Sequence, residues 1–157
     1  MSPRDAYSVI LNVWDESLPF CPSPFALLPG LEDLGCMYQI AYSQTWNNSR
    51  QTCRGVGGDL AVPSGPAQYN RMRAHYRIKI PSGLWWVGIY NNVWLTGRAG
   101  VAAEWNAGQP TGGTELCGAM LTASIMADYL CSTGYWALCQ LIKNFVQWLP
   151  EVYNIQP

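Results

Sequence analysis

The spacing of hydrophobic residues predicts two helices in the first half of the chain. In the segment SQTWNNSRQTCRGVGG (43–58), a Ser or Thr cap precedes Trp46 and Cys53, which share one helical face, and a glycine cluster ends the helix. The segment GPAQYNRMRAHYRIKI (65–80) begins with a Pro near the first helical position. Its buried stripe is predicted to be Tyr69, Met72 and Tyr76.

Strand patterns precede and follow these helices. CMYQIAYS (36–43) alternates, with Tyr38, Ile40 and Tyr42 predicted on one face. LWWVGIY (84–90) is hydrophobic on both faces, which indicates a central strand. Further short strands are predicted in DLAVPS (59–64), NNVWLTG (91–97, after a hairpin turn), ELCGAMLTA (115–123) and GYWALCQ (134–140). Early helices and late strands without βαβ repetition predict an α+β domain with an antiparallel sheet.

Composition restricts the function classes. The 157 residues suit one domain, with 49% hydrophobic and 12% charged residues. A net charge of -1 gives no field that would attract nucleic acid. Four basic residues cluster in the second helix, where we interpret them as its solvent side: Arg71, Arg73, Arg77 and Lys79. No apolar run is long enough to span a membrane, and residues 1–17 do not resemble a secretory signal peptide because no small-residue cleavage site follows their apolar stretch.

The cysteines indicate a secreted protein. Six of them occur, at positions 21, 36, 53, 117, 131 and 139, and none forms the Cys-x-x-Cys step that is common in metal sites. Three disulfides in an oxidising compartment are therefore predicted, although spacing alone leaves 15 pairings open. The triplet Asn47-Asn48-Ser49 matches the N-glycosylation acceptor pattern, which predicts a glycoprotein.

The order of these pieces resembles the C-type lectin-like domain over residues 21–140. CPSPFALLPGLEDLGCMY is similar to the family's long-form first disulfide loop, and TWNNSRQTCRGVGGDLAV to its first helix and the residues after it. LWWVGIY stands where the family has a Trp-Ile-Gly-Leu strand, and EWNAGQP precedes ELC. The resemblance implies an α+β fold in which two helices flank small antiparallel sheets with a long irregular loop region. It also implies the pairs Cys21–Cys36, Cys53–Cys139 and Cys117–Cys131.

The family's calcium and sugar site matches this chain only in part. Family members that bind calcium present Glu-Pro-Asn or Gln-Pro-Asp, then a Glu, then Asn-Asp. Gln109 and Pro110 match the first two positions, and the resemblance implies a cis bond between them. At the remaining positions of the family's pattern, this chain has Thr111, Glu115 and Met126-Ala127-Asp128. Calcium prefers six to eight oxygens, several of them anionic. Since Thr111 is neutral and Ala127 has no side-chain oxygen, Gln109, Glu115 and Asp128 predict at most a weak calcium site, and no cofactor is expected to be required.

Other conspicuous residues have structural interpretations. The tryptophans at 85, 86, 94 and 105 match core positions of the family, although Trp105 precedes the loop directly and is a candidate ligand contact. The only His, His75, has no partner motif, and no nucleophile elbow or phosphate loop is present. We therefore predict that the protein is not an enzyme.

The two ends of the chain are apolar and lie outside the resemblance. Residues 1–20 carry Tyr7, Val9, Leu11 and Val13. Residues 141–157 carry Phe145, Val146, Trp148, Leu149, Val152, Tyr153 and Ile155. These extensions either pack onto their own domain or dock onto a neighbouring subunit, which would make a homo-oligomer.

Two functions follow as hypotheses. The first is a secreted, extracellular, non-catalytic module that binds a glycan or protein ligand through the long-loop face, with weak or no calcium dependence. Its polar contacts would be Gln109, Thr111, Glu115 and Asp128. The second is a structural subunit of an extracellular oligomer or matrix, assembled through its terminal extensions.

Overall fold

The structure, a computed structural model, describes residues 21–141. The predictions for residues 1–20 and 142–157 lie outside the described residues, whereas Leu141, predicted to begin the C-terminal extension, is the last residue of a strand. The helices are α1 (Trp46–Gly55) and α2 (Pro66–Lys79). The strands are β1 (Ala26–Leu27), β2 (Cys36–Gln44), β3 (Gly58–Leu60), β4 (Leu84–Tyr90), β5 (Val93–Trp94), β6 (Cys117–Leu121), β7 (Met126–Tyr129) and β8 (Tyr135–Leu141).

All eight strands belong to one connected sheet. Its main order is β1-β2-β8-β4-β6-β7, with β3 paired to β8 and β5 paired to β4. The predicted antiparallel pairing is observed among the described strands with one exception: β4 and β8 run parallel, with Trp85 opposite Trp136. The last strand, β8, lies between β2 and β4 in the sheet. It is antiparallel to β2 and parallel to β4.

Both helices have the buried faces that their sequences predict. At the start of α1, the Thr45 hydroxyl oxygen accepts a hydrogen bond from the Asn48 amide at 3.2 Å, which caps one of the unpaired amides of the first turn. The buried row of α1 is Trp46, Ser49 and Cys53. In α2, which starts at Pro66, the buried residues are Tyr69, Met72 and Tyr76.

The core consists of two hydrophobic clusters, one on each face of the sheet. Successive residues of a strand point to opposite faces. On β4, Trp85 therefore joins the cluster that includes Tyr69 and Met72 of α2, whereas Trp86 joins the cluster that includes Trp46 of α1. This division explains why the β4 sequence is hydrophobic at every position.

Three residues of β2 that were predicted to share one face differ in burial. Tyr38 is half-buried and Ile40 is fully buried, but Tyr42 is 52% exposed. The register between β2 and β8 shifts between Ile40 and Gln44. A bulge of this kind interrupts the alternation of side chains, so Tyr42, which was predicted on the same face as Ile40, is not buried with it.

Three disulfides join the pairs that the resemblance implies, which confirms that part of the prediction. Cys21–Cys36 and Cys117–Cys131 close loops with sequence separations of 15 and 14, while Cys53–Cys139 links α1 to β8 across a separation of 86. Within residues 21–141, no helix has the length and apolar character that crossing a membrane requires.

The long bridge is expected to stabilise the fold more than the short N-terminal one. In the chain-entropy model, removing Cys53–Cys139 by a double Cys→Ala change lowers the free energy of unfolding by about 4 to 5 kcal/mol, against about 3 kcal/mol for Cys21–Cys36. Equilibrium urea unfolding of the two variants, each with its other bridges intact, measures both losses. Equal losses would contradict the expectation that the bridge between α1 and β8 restricts the unfolded chain more than the Cys21–Cys36 bridge does.

Candidate ligand-binding site

The long loop between β5 and β6 is fixed at its base to β7. Asn106 makes the connection with both its backbone and its side chain. Its amide donates to the Met126 carbonyl at 2.9 Å, and its side-chain oxygen accepts from the Ile125 amide at 2.8 Å. Its side-chain nitrogen donates to the Ser124 hydroxyl at 3.1 Å. These bonds place the residues after Asn106 beside Asp128 on β7.

The turn of the loop is built from Pro110 and two glycines. The Gln109–Pro110 peptide bond is cis, as the resemblance implies. Gly112 and Gly113 have φ values of 73° and 66°, which lie in the left-handed region that glycine adopts most easily. They turn the chain back so that the Glu115 amide donates to the Gly112 carbonyl at 3.0 Å.

The carboxylate of Asp128 is buried beneath this turn and receives its hydrogen bonds from it. Asp128 is only 4% exposed. One oxygen, Oδ1, accepts from the Thr111 amide at 3.0 Å and lies 2.9 Å from the Thr111 hydroxyl. The other oxygen, Oδ2, accepts from the Gly112 amide at 2.8 Å. Since burying a carboxylate is unfavourable without such donors, the turn and Asp128 stabilise each other.

Thr111 joins two carboxylates. Its hydroxyl lies 2.6 Å from Oε1 of Glu115 as well as 2.9 Å from Oδ1 of Asp128. A hydroxyl has one proton, so it donates to one of these oxygens at a time. Gln109 completes the group, because its side-chain oxygen accepts from the Asp128 amide at 3.2 Å. The structure thus brings together all four predicted polar residues, Gln109, Thr111, Glu115 and Asp128.

A tyrosine beside the site remains neutral. Burial raises the pKa of Tyr129 above its usual 10.0, and the neighbouring Tyr135 and the negative charges of Glu115 and Asp128 raise it further. The Tyr129 phenol is therefore protonated near neutral pH.

The family model described as "Lectin C-type domain" matches residues 42–141. The chain belongs to the C-type lectin domain family.

Solved structures with this lectin fold are numerous, and three are informative here. The C-type lectin domain of murine dendritic cell inhibitory receptor 2, in complex with an N-glycan, is 18% identical with a TM-score of 0.64, and the match covers 79% of this chain and all of that one. The C-type lectin CEL-I from Cucumaria echinata is 19% identical with a TM-score of 0.64, over 78% and 97% of the two chains. A calcium-independent type II antifreeze protein is 21% identical with a TM-score of 0.60, over 76% and 92%.

The donor set of this lectin domain does not fit a calcium ion. Calcium takes six to eight oxygen ligands, several of them anionic. Both oxygens of Asp128 and the side-chain oxygen of Gln109 already accept protein N–H groups, while Ala127 adds no oxygen and is buried opposite Ala119. Among residues 21–141, no group of three or more His, Cys, Asp or Glu side chains is arranged to hold a metal.

The tryptophans form the core of the domain. Trp85, Trp86 and Trp94 are buried, which confirms the core interpretation. Trp105, the remaining candidate contact, is 5% exposed, and its indole N–H donates to the side-chain oxygen of Asn92 at 3.0 Å. Its ring faces the core and is not available for a ligand to stack on.

An ion pair between a buried Glu104 and a partly exposed Arg98, which supports the loop, was not predicted from the sequence. The Glu104 carboxylate is completely buried and accepts bonds from the Trp94 indole at 3.2 Å, the Val101 amide at 3.1 Å and the guanidinium of Arg98 at 2.8 Å. Arg98 also donates to the Pro63 carbonyl at 2.8 Å. The sequence offered one sign of this ion pair, the acidic Glu104 just before Trp105, in a stretch with no clear hydrophobic periodicity.

The Thr111 hydroxyl is expected to contribute measurably to stability. Thr111→Val keeps the β-branched shape but removes the hydroxyl that lies within hydrogen-bond distance of both Glu115 and Asp128, so the free energy of unfolding should fall by about 1 to 2 kcal/mol. Urea unfolding measures this loss.

Thr114 provides the matched control, because it is exposed in the same turn and makes no hydrogen bond within residues 21–141. Thr114→Val should change stability by less than about 0.5 kcal/mol. If the two variants have the same stability, the Thr111 hydroxyl does not hold the loop.

Proposed function

We propose that this lectin-family domain is a secreted, non-catalytic recognition module that binds a glycan or protein ligand through its loop face without calcium. The loop face is defined as the surface formed by Gln109, Thr111 and Glu115. Asp128 lies beneath it and acts as a positioning residue. The observation that carries the proposal is the pairing of both Asp128 oxygens with the amides of Thr111 and Gly112, at 3.0 Å and 2.8 Å.

This pairing supports calcium independence. In a calcium-dependent site the ion neutralises the ligating carboxylates and holds the loop around them. In this chain the amides of Thr111 and Gly112 donate to Asp128, so the loop has an internal source of stabilisation. The calcium-independent antifreeze protein of similar fold supports the same interpretation.

The loop face retains unused hydrogen-bonding groups. Thr111 is exposed, and Gln109 and Glu115 are partly exposed. Within residues 21–141, the side-chain nitrogen of Gln109 and the Oε2 atom of Glu115 have no protein partner, which leaves two N–H donors and one anionic acceptor. A sugar hydroxyl both donates and accepts, and protein surfaces offer the same groups, so these atoms suit either ligand. The receptor domain in complex with an N-glycan supports the glycan alternative.

The disulfides support secretion. Three bridges tie the domain together, and such bridges form and persist in oxidising compartments. The small net charge of -1 also fits recognition of the ligand by local hydrogen bonds rather than by a long-range electrostatic field.

Binding to an array of immobilised N-glycans and to an array of extracellular proteins tests the proposal. We expect the same ligand to be bound in EDTA and in about 10 mM calcium, a concentration above the 0.1 to 1 mM range of extracellular calcium modules. Glu115→Gln should weaken binding at least about tenfold, because it removes the negative charge that strengthens the hydrogen bond to the ligand. Glu32→Gln, at an exposed acid outside the loop, should have no effect. Binding that requires calcium, or that Glu115→Gln leaves unchanged, would contradict the proposal.

A further inference from the structure

The first turn of α1 presents an asparagine that is suited to covalent modification. Asn47 is exposed, and its side chain has no hydrogen-bond partner within residues 21–141. The neighbouring Asn48 amide is the one that Thr45 caps, so Asn47 has no part in the cap. Asn47 begins the acceptor triplet Asn47-Asn48-Ser49. We propose that Asn47 carries an N-linked glycan and that the glycan is attached before α1 folds.

The third residue of the triplet is difficult to explain by folding. Ser49 is completely buried, and its hydroxyl has no hydrogen-bond partner. It lies on the buried row of α1 between Trp46 and Cys53, against the cluster that also contains Trp86. An unpartnered buried hydroxyl destabilises a protein, and Ala would serve this helical position better. The acceptor triplet, in contrast, requires a hydroxyl-bearing residue two positions after the asparagine.

The chemistry is a transfer of oligosaccharide from a lipid diphosphate donor to the asparagine amide. The Nδ2 atom of Asn47 forms a bond to the anomeric carbon of the first sugar, and the bond between that carbon and the diphosphate oxygen breaks. The amide loses one proton, and the lipid diphosphate leaves with the electron pair. The secretory pathway supplies the donor and the transferase.

The fold sets the order of events. A transferase that reads the Ser49 hydroxyl cannot reach it once α1 is packed on the sheet. Packing is held by the Trp46 amide, which donates to the Cys131 carbonyl at 3.1 Å, and by the Trp46 indole, which donates to the Val87 carbonyl at 2.9 Å. The Cys53–Cys139 bridge then joins α1 to β8. Modification therefore precedes the pairing of these elements.

The glycan would emerge beside exposed apolar side chains. Trp46, which precedes Asn47, contacts the ring of Tyr90, with 5.7 Å between ring centroids. Tyr90 is 44% exposed, and Leu130, next to the Cys131 carbonyl that Trp46 binds, is 46% exposed. Both residues thus adjoin Trp46, the neighbour of Asn47 in the chain, at the end of α1 where the glycan would be attached.

Secretion of the full chain from eukaryotic cells, behind a leader peptide, tests the proposal. Peptide N-glycosidase should reduce the mass by one glycan and convert Asn47 to Asp, as read by peptide mass spectrometry. Asn47→Gln and Ser49→Ala should each abolish the shift, whereas Ser49→Thr and Asn48→Gln should retain it. Secreted protein with an unmodified Asn47 would overturn the proposal.

Two measurements on unglycosylated protein test whether Ser49 serves the acceptor triplet or the folded structure, and whether modification precedes folding. Ser49→Ala should raise the thermal midpoint by about 2 to 4 °C, because it removes an unpartnered buried hydroxyl. A lower midpoint would show that Ser49 has a structural role and would remove the reason for assigning it to the triplet. In a microsomal assay with the lipid-linked donor, the reduced, unfolded chain should be modified and the folded chain should not. Equal modification of both would overturn the proposed order of events.

Discussion

The buried carboxylate of Asp128 needs hydrogen-bond donors, and the turn at Thr111 and Gly112 supplies them. This requirement links β7 to the long loop, because Asp128 belongs to β7 and the two donating amides belong to the loop. The rest of the domain keeps the two in register. Asn106 fixes the base of the loop to the start of β7, and the ion pair of the buried Glu104 with Arg98 holds the segment before it. The site is thus a consequence of one buried charge and the elements that bring its donors to it.

The hydrophobic pattern was sufficient to predict most of the core. Trp85 and Trp86 lie next to each other on β4, and they divide between the two faces of the sheet as a strand that is buried on both sides requires. The buried stripes of α1 and α2 follow from helical periodicity in the same way. The disulfide pairing came from the family resemblance, because spacing alone left every combination open.

Features that depend on long-range pairing could not be predicted. The bulge that exposes Tyr42 arises where β2 changes register against β8, a strand at the far end of the chain. The parallel pairing of β4 with β8 and the burial of Glu104 likewise require partners that local patterns do not identify. At the site, the family resemblance predicted which residues gather, but not that Asp128 would accept hydrogen bonds from the amides of Thr111 and Gly112.

The central claim is that the loop is held by its own hydrogen bonds and that calcium adds nothing to them. Hydrogen exchange of the Thr111 and Gly112 amides reports on those bonds directly, because both amides donate to Asp128. The proposed account predicts protected amides whose exchange rates are the same in EDTA and in about 10 mM calcium. Rapid exchange in EDTA that calcium slows would contradict it.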